Sequence, residues 1–340
     1  MILVTGGTGL VGSHLLFHLA SKRIRIRAIY RNGDRIALTR KVFEYYTDTP
    51  DKTFNEIDWV KADINDIPSL SIAFKGITRV YHCAALISFD PKKRKQLFKV
   101  NAEGTANLVN LCIEHKVEKL CHVSSIATIG ESLDKKPVAE TKEFNASVAN
   151  IYALSKHQAE MEVWRGSQEG INTIIVNPGV IIGPGFWDNG SGRLFKKISE
   201  GLKFYPPGGT GFVTVKDVVG AMVNLMDSEI TNENYILVSE NLTYKEAFTK
   251  IAEAVEKKAP KLLLKKGLLA ILWRLDWLKS NLIGSEQVLS KKLASSFDTT
   301  TIYSNEKIIK DSNFKFENLA AAINSCAATF LKENHSTAEY

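Results

Sequence analysis

The first half of the chain alternates between two hydrophobic rhythms. Short apolar runs stand at "ILV" (residues 2–4), "IRIRAIY" (24–30), "WVKAD" (59–63), "RVYHCAA" (79–85), "KLCHVSS" (119–125) and "NTIIVNP" (172–178), and each has the length of a strand. Between them the spacing widens. Val11, Leu15 and Leu19 recur every four residues with Leu16 and Ala20 beside them, and Thr105, Leu108, Val109 and Cys112 make a second stripe. A further helix is predicted near residues 151–164. Repeated strand–helix–strand order predicts an α/β fold, a parallel sheet with helices on both faces. After Pro178 the rhythm breaks at "GVIIGPGFWDNGSG" (179–192), which holds too many glycines and turn formers for another such unit. The expected division is a parallel α/β domain over 1–178 and a smaller, mixed lobe over 179–340, with a segment near 212–225 returning to the first domain.

Composition narrows the class. The chain has 340 residues, 44% of them hydrophobic, enough for a sizeable core. Net charge is +7, from 44 basic and 37 acidic residues, a mild excess that gives no reason to expect nucleic acid as a partner. Cys83, Cys112, Cys121 and Cys326 form no CxxC pair, so no metal site is expected and a reducing, cytoplasmic setting is. The first strand is expected to begin at residue 2, and no targeting segment is expected ahead of it. The most apolar late stretch, 267–284, is interrupted by Arg274, Asp276 and Lys279. It reads as an amphipathic helix packed over the second lobe rather than as a membrane contact.

Candidate chemistry begins at "TGGTGLVG" (5–12), where Gly6, Gly9 and Gly12 stand three apart between a strand and a striped helix. A turn without Cβ atoms lets a pyrophosphate approach the backbone and meet the helix N-terminus. Tyr152 and Lys156 lie four apart, on one helical face. A nearby ammonium favours the phenolate and brings a tyrosine toward working range. Ser125 stands at a strand end, where an open α/β sheet places its ligand, with Ser124 as the neighbouring alternative. At the end of the second strand, "RAIYRNGDR" offers Arg31 rather than the acid that reads the ribose of NAD, with Asp34 further along. A guanidinium there would pair with a 2′-phosphate.

These pieces together resemble the extended short-chain dehydrogenase/reductase superfamily of epimerases, dehydratases and reductases, a Rossmann-type fold. Besides the glycine turn, the resemblance is carried by "ADI" (62–64), "HCAA" (82–85), "VNAEGTANLV" (100–109), "VSSIATIG" (123–130), "YALSK" (152–156), "NPGVIIGPG" (177–185) and "FVTVKDVV" (212–219), and it extends to "FKFENLAAAI" (314–323). It implies an enzyme using Ser125, Tyr152 and Lys156, supported by Asn101. It also implies a cofactor site of Gly6, Gly9, Leu10, Val11, Gly12, Arg31, Arg35, Asp63, Ile64, Ala84, Ala85, Lys156, Pro178 and Val180. NADP is the preferred cofactor and NAD the other possibility.

The dihydroflavonol reductase and hydroxysteroid dehydrogenase members look nearest. The expected reaction is therefore the interconversion of a ketone and a secondary alcohol on a small, relatively apolar molecule, with Phe186 and Trp187 near the substrate. No acid follows Ser125, which argues against a dehydratase, and no arginine precedes Phe212 to clamp a diphosphate, although Arg193 or Lys197 could take that place. The alternatives are a nucleotide-sugar epimerase and a non-catalytic NAD(P)-binding or redox-sensing protein. The family's habit of pairing the tyrosine-bearing helix implies a homodimer.

Overall fold

The computed structural model describes residues 1–130 and 136–338. The six expected strands are present as β1 (Ile2–Thr5), β2 (Ile26–Tyr30), β3 (Asp58–Lys61), β4 (Arg79–His82), β5 (Lys119–Val123) and β6 (Asn172–Pro178). Four further strands, β7 (Val180–Ile182), β8 (Phe204–Tyr205), β9 (Gly209–Thr214) and β10 (Glu233–Leu237), follow, and then β11 (Glu240–Thr243) and β12 (Leu262–Leu263). The main sheet has seven strands in the order β10-β6-β5-β4-β1-β2-β3, every pair parallel. The strand order reverses at β1, the place where a doubly wound sheet opens a crevice for a ligand.

Helices cover both faces because each strand is apolar on both sides. On one face the helix Leu10–Ser21 lays Leu15, Leu16 and Leu19 into a core with Phe43, Val218 and Met222. On the other, the helices Gly104–Glu114 and Ile151–Gln168 bring Leu108, Val109, Leu111 and Val163 against Leu70, Phe74 and Leu120. Each fully buried leucine here contributes about 1.5–3 kcal/mol.

The later residues divide between the two lobes. The helix Val215–Asp227 buries Val218, Val219, Met222 and Leu225 in the core of the first face, and β10 extends the main sheet beside β6. A second sheet, β11-β9-β7, packs around Phe195, Phe212, Phe248, Ile323 and Phe330. β8 and β12 form a separate two-stranded pair. The helix Lys266–Ile283 differs from the packed helix that its apolar sequence suggests. Only Leu269 and Ser280 are buried along it, and Ile271, Leu275, Trp277, Leu282 and Ile283 are exposed. Among the described residues, no helix is long and apolar enough to cross a membrane.

Candidate active site

The glycine turn has the steric need that its sequence implies. Gly6 has φ +69°, and a Cβ there would stand 2.6 Å from the Ala84 nitrogen. A Cβ on Gly12 would meet the Gly6 carbonyl oxygen at 2.2 Å, so the helix can approach the strand only with a bare backbone. Gly9 caps the helix Leu10–Ser21 without any side-chain hydrogen bond. Its built Cβ would meet nothing nearer than 3.4 Å, so an open face lies beside uncapped amides. A dinucleotide pyrophosphate fits that cradle, because unsatisfied N–H groups and the helix dipole both favour an anion. The first-turn residues Leu10 and Val11 would offer those amides.

The remaining cofactor candidates surround this turn. Arg31 lies just past β2, and its guanidinium Nη1 stands 3.9 Å from Oδ2 of Asp63. Asp63 also accepts from the Asn65 backbone at 2.9 Å. Ile64 is buried against Gly104, whose Cβ would clash with it at 2.6 Å. Arg35 ends an exposed helical turn, Gly33–Arg35. Ala84 and Ala85 follow β4, and the Ala84 amide donates to Thr5 Oγ1 at 3.3 Å. Pro178 closes β6, and Val180 opens β7.

Ser125 follows β5 and lies beside Tyr152, close enough to lower the proton affinity of its phenol, and Lys156 stands one helical turn further on. Tyr152 and Lys156 occupy the first turns of Ile151–Gln168, which Asn150 caps by accepting from the Ala153 amide at 2.9 Å. The electrostatics differ from expectation. Burial pushes the Tyr152 phenol up to about 12, opposed by the neighbouring Ser125 hydroxyl and reinforced by Glu160. The Lys156 ammonium does not offset this, because it is buried and turned elsewhere. Its Nζ donates to the Val123 carbonyl at 2.9 Å and lies 3.0 Å from His122 Nε2. Burial lowers its pKa to about 8, with Glu160 and Cys83 opposing.

Asn101 lies in a widened helical turn, Lys99–Glu103, of the kind often found at functional sites. Its Oδ1 accepts from the Leu86 amide at 2.7 Å, and its Nδ2 donates to Leu86 O at 3.0 Å and to Ser155 Oγ at 2.9 Å. It thereby ties the loop after β4 to the tyrosine-bearing helix. Phe186 has φ +58°. Trp187 packs edge-on against Phe195 and Phe330 and donates its indole N–H to Glu333 at 2.8 Å.

Several residues at the site escaped the sequence. Glu160, one turn beyond Lys156, is buried. It accepts from Thr128 Oγ1 and Asn177 Nδ2, both at 2.7 Å, and burial raises its pKa. The Phe89 ring stands edge-on to Tyr152 at 5.7 Å. His122 and Asn177 are fully buried polar residues inside apolar strands. That interruption of an apolar run was the one signal available for them.

Comparison with known proteins gives these parts a context. A profile of the NAD dependent epimerase/dehydratase family matches residues 2–237. A putative dihydroflavonol 4-reductase of Synechocystis sp. is 29% identical over 268 residues, covering 76% of this chain and 73% of that protein. A UDP-glucose 4-epimerase of Vibrio cholerae is 26% identical over 269 residues, covering 75% and 76%. The crystal structure of gox2253 superposes with TM-score 0.80 at 26% identity over 98% of both chains. A UDP-glucose 4-epimerase from Thermotoga maritima, with UDP-glucose, shares the fold at TM-score 0.75 and 18% identity, over 98% and 99%.

These matches correct the reaction expected from sequence. A simple ketone–alcohol interconversion on a small apolar substrate gives way to the family's NAD-dependent epimerase/dehydratase chemistry, and solved structures of this fold carry NAD with UDP or UDP-sugars. The two absences behind the earlier expectation exclude less than they suggested. Lacking an acid after Ser125 disfavours a dehydratase only, and lacking an arginine before Phe212 removes one diphosphate clamp among several basic groups.

Proposed function

We propose that this chain, which belongs to the NAD-dependent epimerase/dehydratase family, inverts a hydroxyl-bearing carbon of a nucleotide sugar by reversible oxidation. The observation that carries this reading is Tyr152 beside Ser125 at the end of β5, with Lys156 one helical turn away and the uncapped glycine turn after β1 at the same edge of the parallel sheet. The family match and the Vibrio epimerase relative support the substrate class. The absence of an acid among Ile126, Ala127 and Thr128 favours epimerisation over dehydration, which needs further proton transfers.

When bound, NAD supplies a reversible two-electron acceptor for the sugar carbon. Ser125 holds the oxygen on that carbon. Tyr152 would take the hydroxyl proton while that carbon is oxidised and return it to the oxygen when the carbon is reduced. Lys156, one helical turn from Tyr152, would offer its ammonium to the nicotinamide ribose. Arg193, exposed in the first turn of Gly192–Ser199, is the basic group we assign to the diphosphate.

The test is direct. Purified protein with NAD or NADP is incubated with UDP-glucose, UDP-galactose, UDP-glucuronate, dTDP-glucose and GDP-mannose, and products are separated by anion-exchange chromatography and identified by NMR. Conversion of one sugar into its epimer is expected. No conversion across UDP-, dTDP- and GDP-sugars overturns the proposal.

For the finer cofactor choice, Arg31 beside Asp63 supports acceptance of a 2′-phosphate and hence a preference for NADP(H). Arg31→Ala should weaken NADP(H) binding about ten- to a hundredfold, or roughly 1.4–2.8 kcal/mol, with NAD(H) little changed. Tighter NAD(H) binding by the unaltered protein overturns that preference. We also infer a cytoplasmic homodimer, in keeping with the free thiols of all four cysteines, and light scattering that returns the monomer mass would refute the dimer.

A further inference from the structure

A row of buried polar side chains crosses the centre of the main sheet. Thr5 pairs with His82 across β1 and β4, and His82 pairs with His122 across β4 and β5. All three are fully buried, and Lys156 lies at the end of the row with 1% exposure. The two imidazoles are 5.0 Å apart between centroids.

Their hydrogen bonds assign them different tasks. Thr105 Oγ1 donates its one hydrogen to Asn101 O, so it accepts from His82 Nε2, 2.9 Å away. His82 Nδ1 then accepts from Thr5 Oγ1 at 2.7 Å. His82 is a neutral imidazole with both nitrogens occupied, and it has nothing to offer Lys156. His122 is different. Its Nε2 lies 3.0 Å from Lys156 Nζ, and its Nδ1 has no partner among the described residues. An ammonium has donors only. A charged Lys156 therefore makes His122 Nε2 the acceptor and leaves the ring proton on Nδ1, buried and unpaired. Such a group is costly, and an apolar side chain would avoid it in this apolar strand.

We propose that His122 is a positioning residue for Lys156: its Nε2 and the Val123 carbonyl together hold the ammonium in place one helical turn from Tyr152. This rests on the assignment of Tyr152 and Lys156 to the reaction. Two of the three ammonium hydrogens are anchored, and the third is left for the reacting groups. The titratable groups around Lys156 besides His122 are Tyr152 and Glu160 on its own helix, Cys83 just past β4, and His82 beside His122. Among the surrounding side chains, His122 alone has a hydrogen-bond contact to Lys156 Nζ among the described residues. Because a hydrogen bond to the charged form favours that form, its loss makes Lys156 release its proton more easily.

The experiment needs no substrate, so its failure is separable from failure of the nucleotide-sugar reading. Lysine Cε and Cδ carbons are labelled with 13C, and the Lys156 signal is assigned by its disappearance in Lys156→Met. Its titration is then followed by NMR in the unaltered protein, His122→Phe and His122→Gln. The proton affinity of Lys156 should fall about tenfold in His122→Phe and stay within about threefold in His122→Gln, whose amide oxygen restores an acceptor. An unchanged midpoint in folded His122→Phe overturns the proposal. A measurement on the unaltered protein decides the matter even if that variant does not fold. Imidazole 15N shifts must show His122 neutral with its proton on Nδ1, and a proton on Nε2 overturns the proposal.

Discussion

The helices Ile151–Gln168 and Lys266–Ile283 are both eighteen residues long, and their fates invert what their sequences suggest. The first has many polar residues, yet it buries Ser155, Lys156 and Glu160 beside Ala153, Ala159 and Val163. The second is rich in leucine, isoleucine and tryptophan, yet it buries only Leu269 and Ser280. Position in the fold decides the difference. The first lies against the main sheet at its strand ends, where its buried polar residues meet partners: Ser155 meets Asn101, Lys156 meets Val123 and His122, and Glu160 meets Thr128 and Asn177. The second touches its surroundings through a few polar ties, such as Lys92 to Ser280 at 2.9 Å and Asp276 to the Leu289 amide at 2.7 Å. A polar helix can be buried where its polar groups find partners, while apolarity alone does not secure burial.

The contrast breaks most sharply at Tyr152. Tyr152→Phe keeps the ring and the helix but removes the proton carrier. Turnover on an established substrate should fall by about two to four powers of ten, with cofactor affinity within about twofold. Full turnover in this variant would reduce the first helix to a structural element.

A smaller effect follows from histidines hidden in the first lobe. Burial lowers the pKa of His14 from 6.5 to about 4 and that of His82 to about 3, and lowers that of His122 as well. A histidine with a depressed folded pKa contributes stability that is present above 6.5 and is lost as pH falls toward the folded value. For His14 alone the loss across pH 6.5 to 4 is up to about 3 kcal/mol. Urea unfolding measured at half-unit intervals should show stability declining over that window. His14→Gln should flatten the slope by about one proton, and an identical slope in the variant would refute His14 as a contributor.

Glu160 sharpens the comparison further. Its carboxyl pKa is raised by burial, so its ionisation costs stability once pH passes the unfolded value. Glu160→Ala removes the acceptor for Thr128 and Asn177 and should cost about 2–4 kcal/mol in chemical denaturation. Glu160→Gln keeps an acceptor without the charge, and at pH 7.5 its stability should match or exceed that of the unaltered protein. Equal losses in the two variants would show that packing, not hydrogen bonding, sets the value of this side chain.

The smallest effect belongs to the second helix. Leu282 is 76% exposed, so Leu282→Ser should change stability by no more than about 0.5 kcal/mol. A loss several times larger would mean that this face is covered in solution, and the contrast between the two helices would disappear.

What the sequence determined by itself was local. The strand rhythm, the stripe of Leu15, Leu16 and Leu19, the glycine turn and the Tyr152–Lys156 spacing each lie within a dozen residues, and backbone periods of 2 and 3.6 fix their meaning before any long-range contact forms. Parallel sheet order followed from that alternation, because crossover connections leave few other arrangements. Only the tertiary structure decided that Lys156 faces a histidine 34 positions away, that Glu160 meets Asn177 on β6, that Arg31 stands by Asp63, and that an apolar helix keeps most of its surface outside. Those outcomes depend on which strands become neighbours and in what register, so His82 and His122 become adjacent only once β4 and β5 pair. A side chain's own neighbours along the chain carry no record of that pairing.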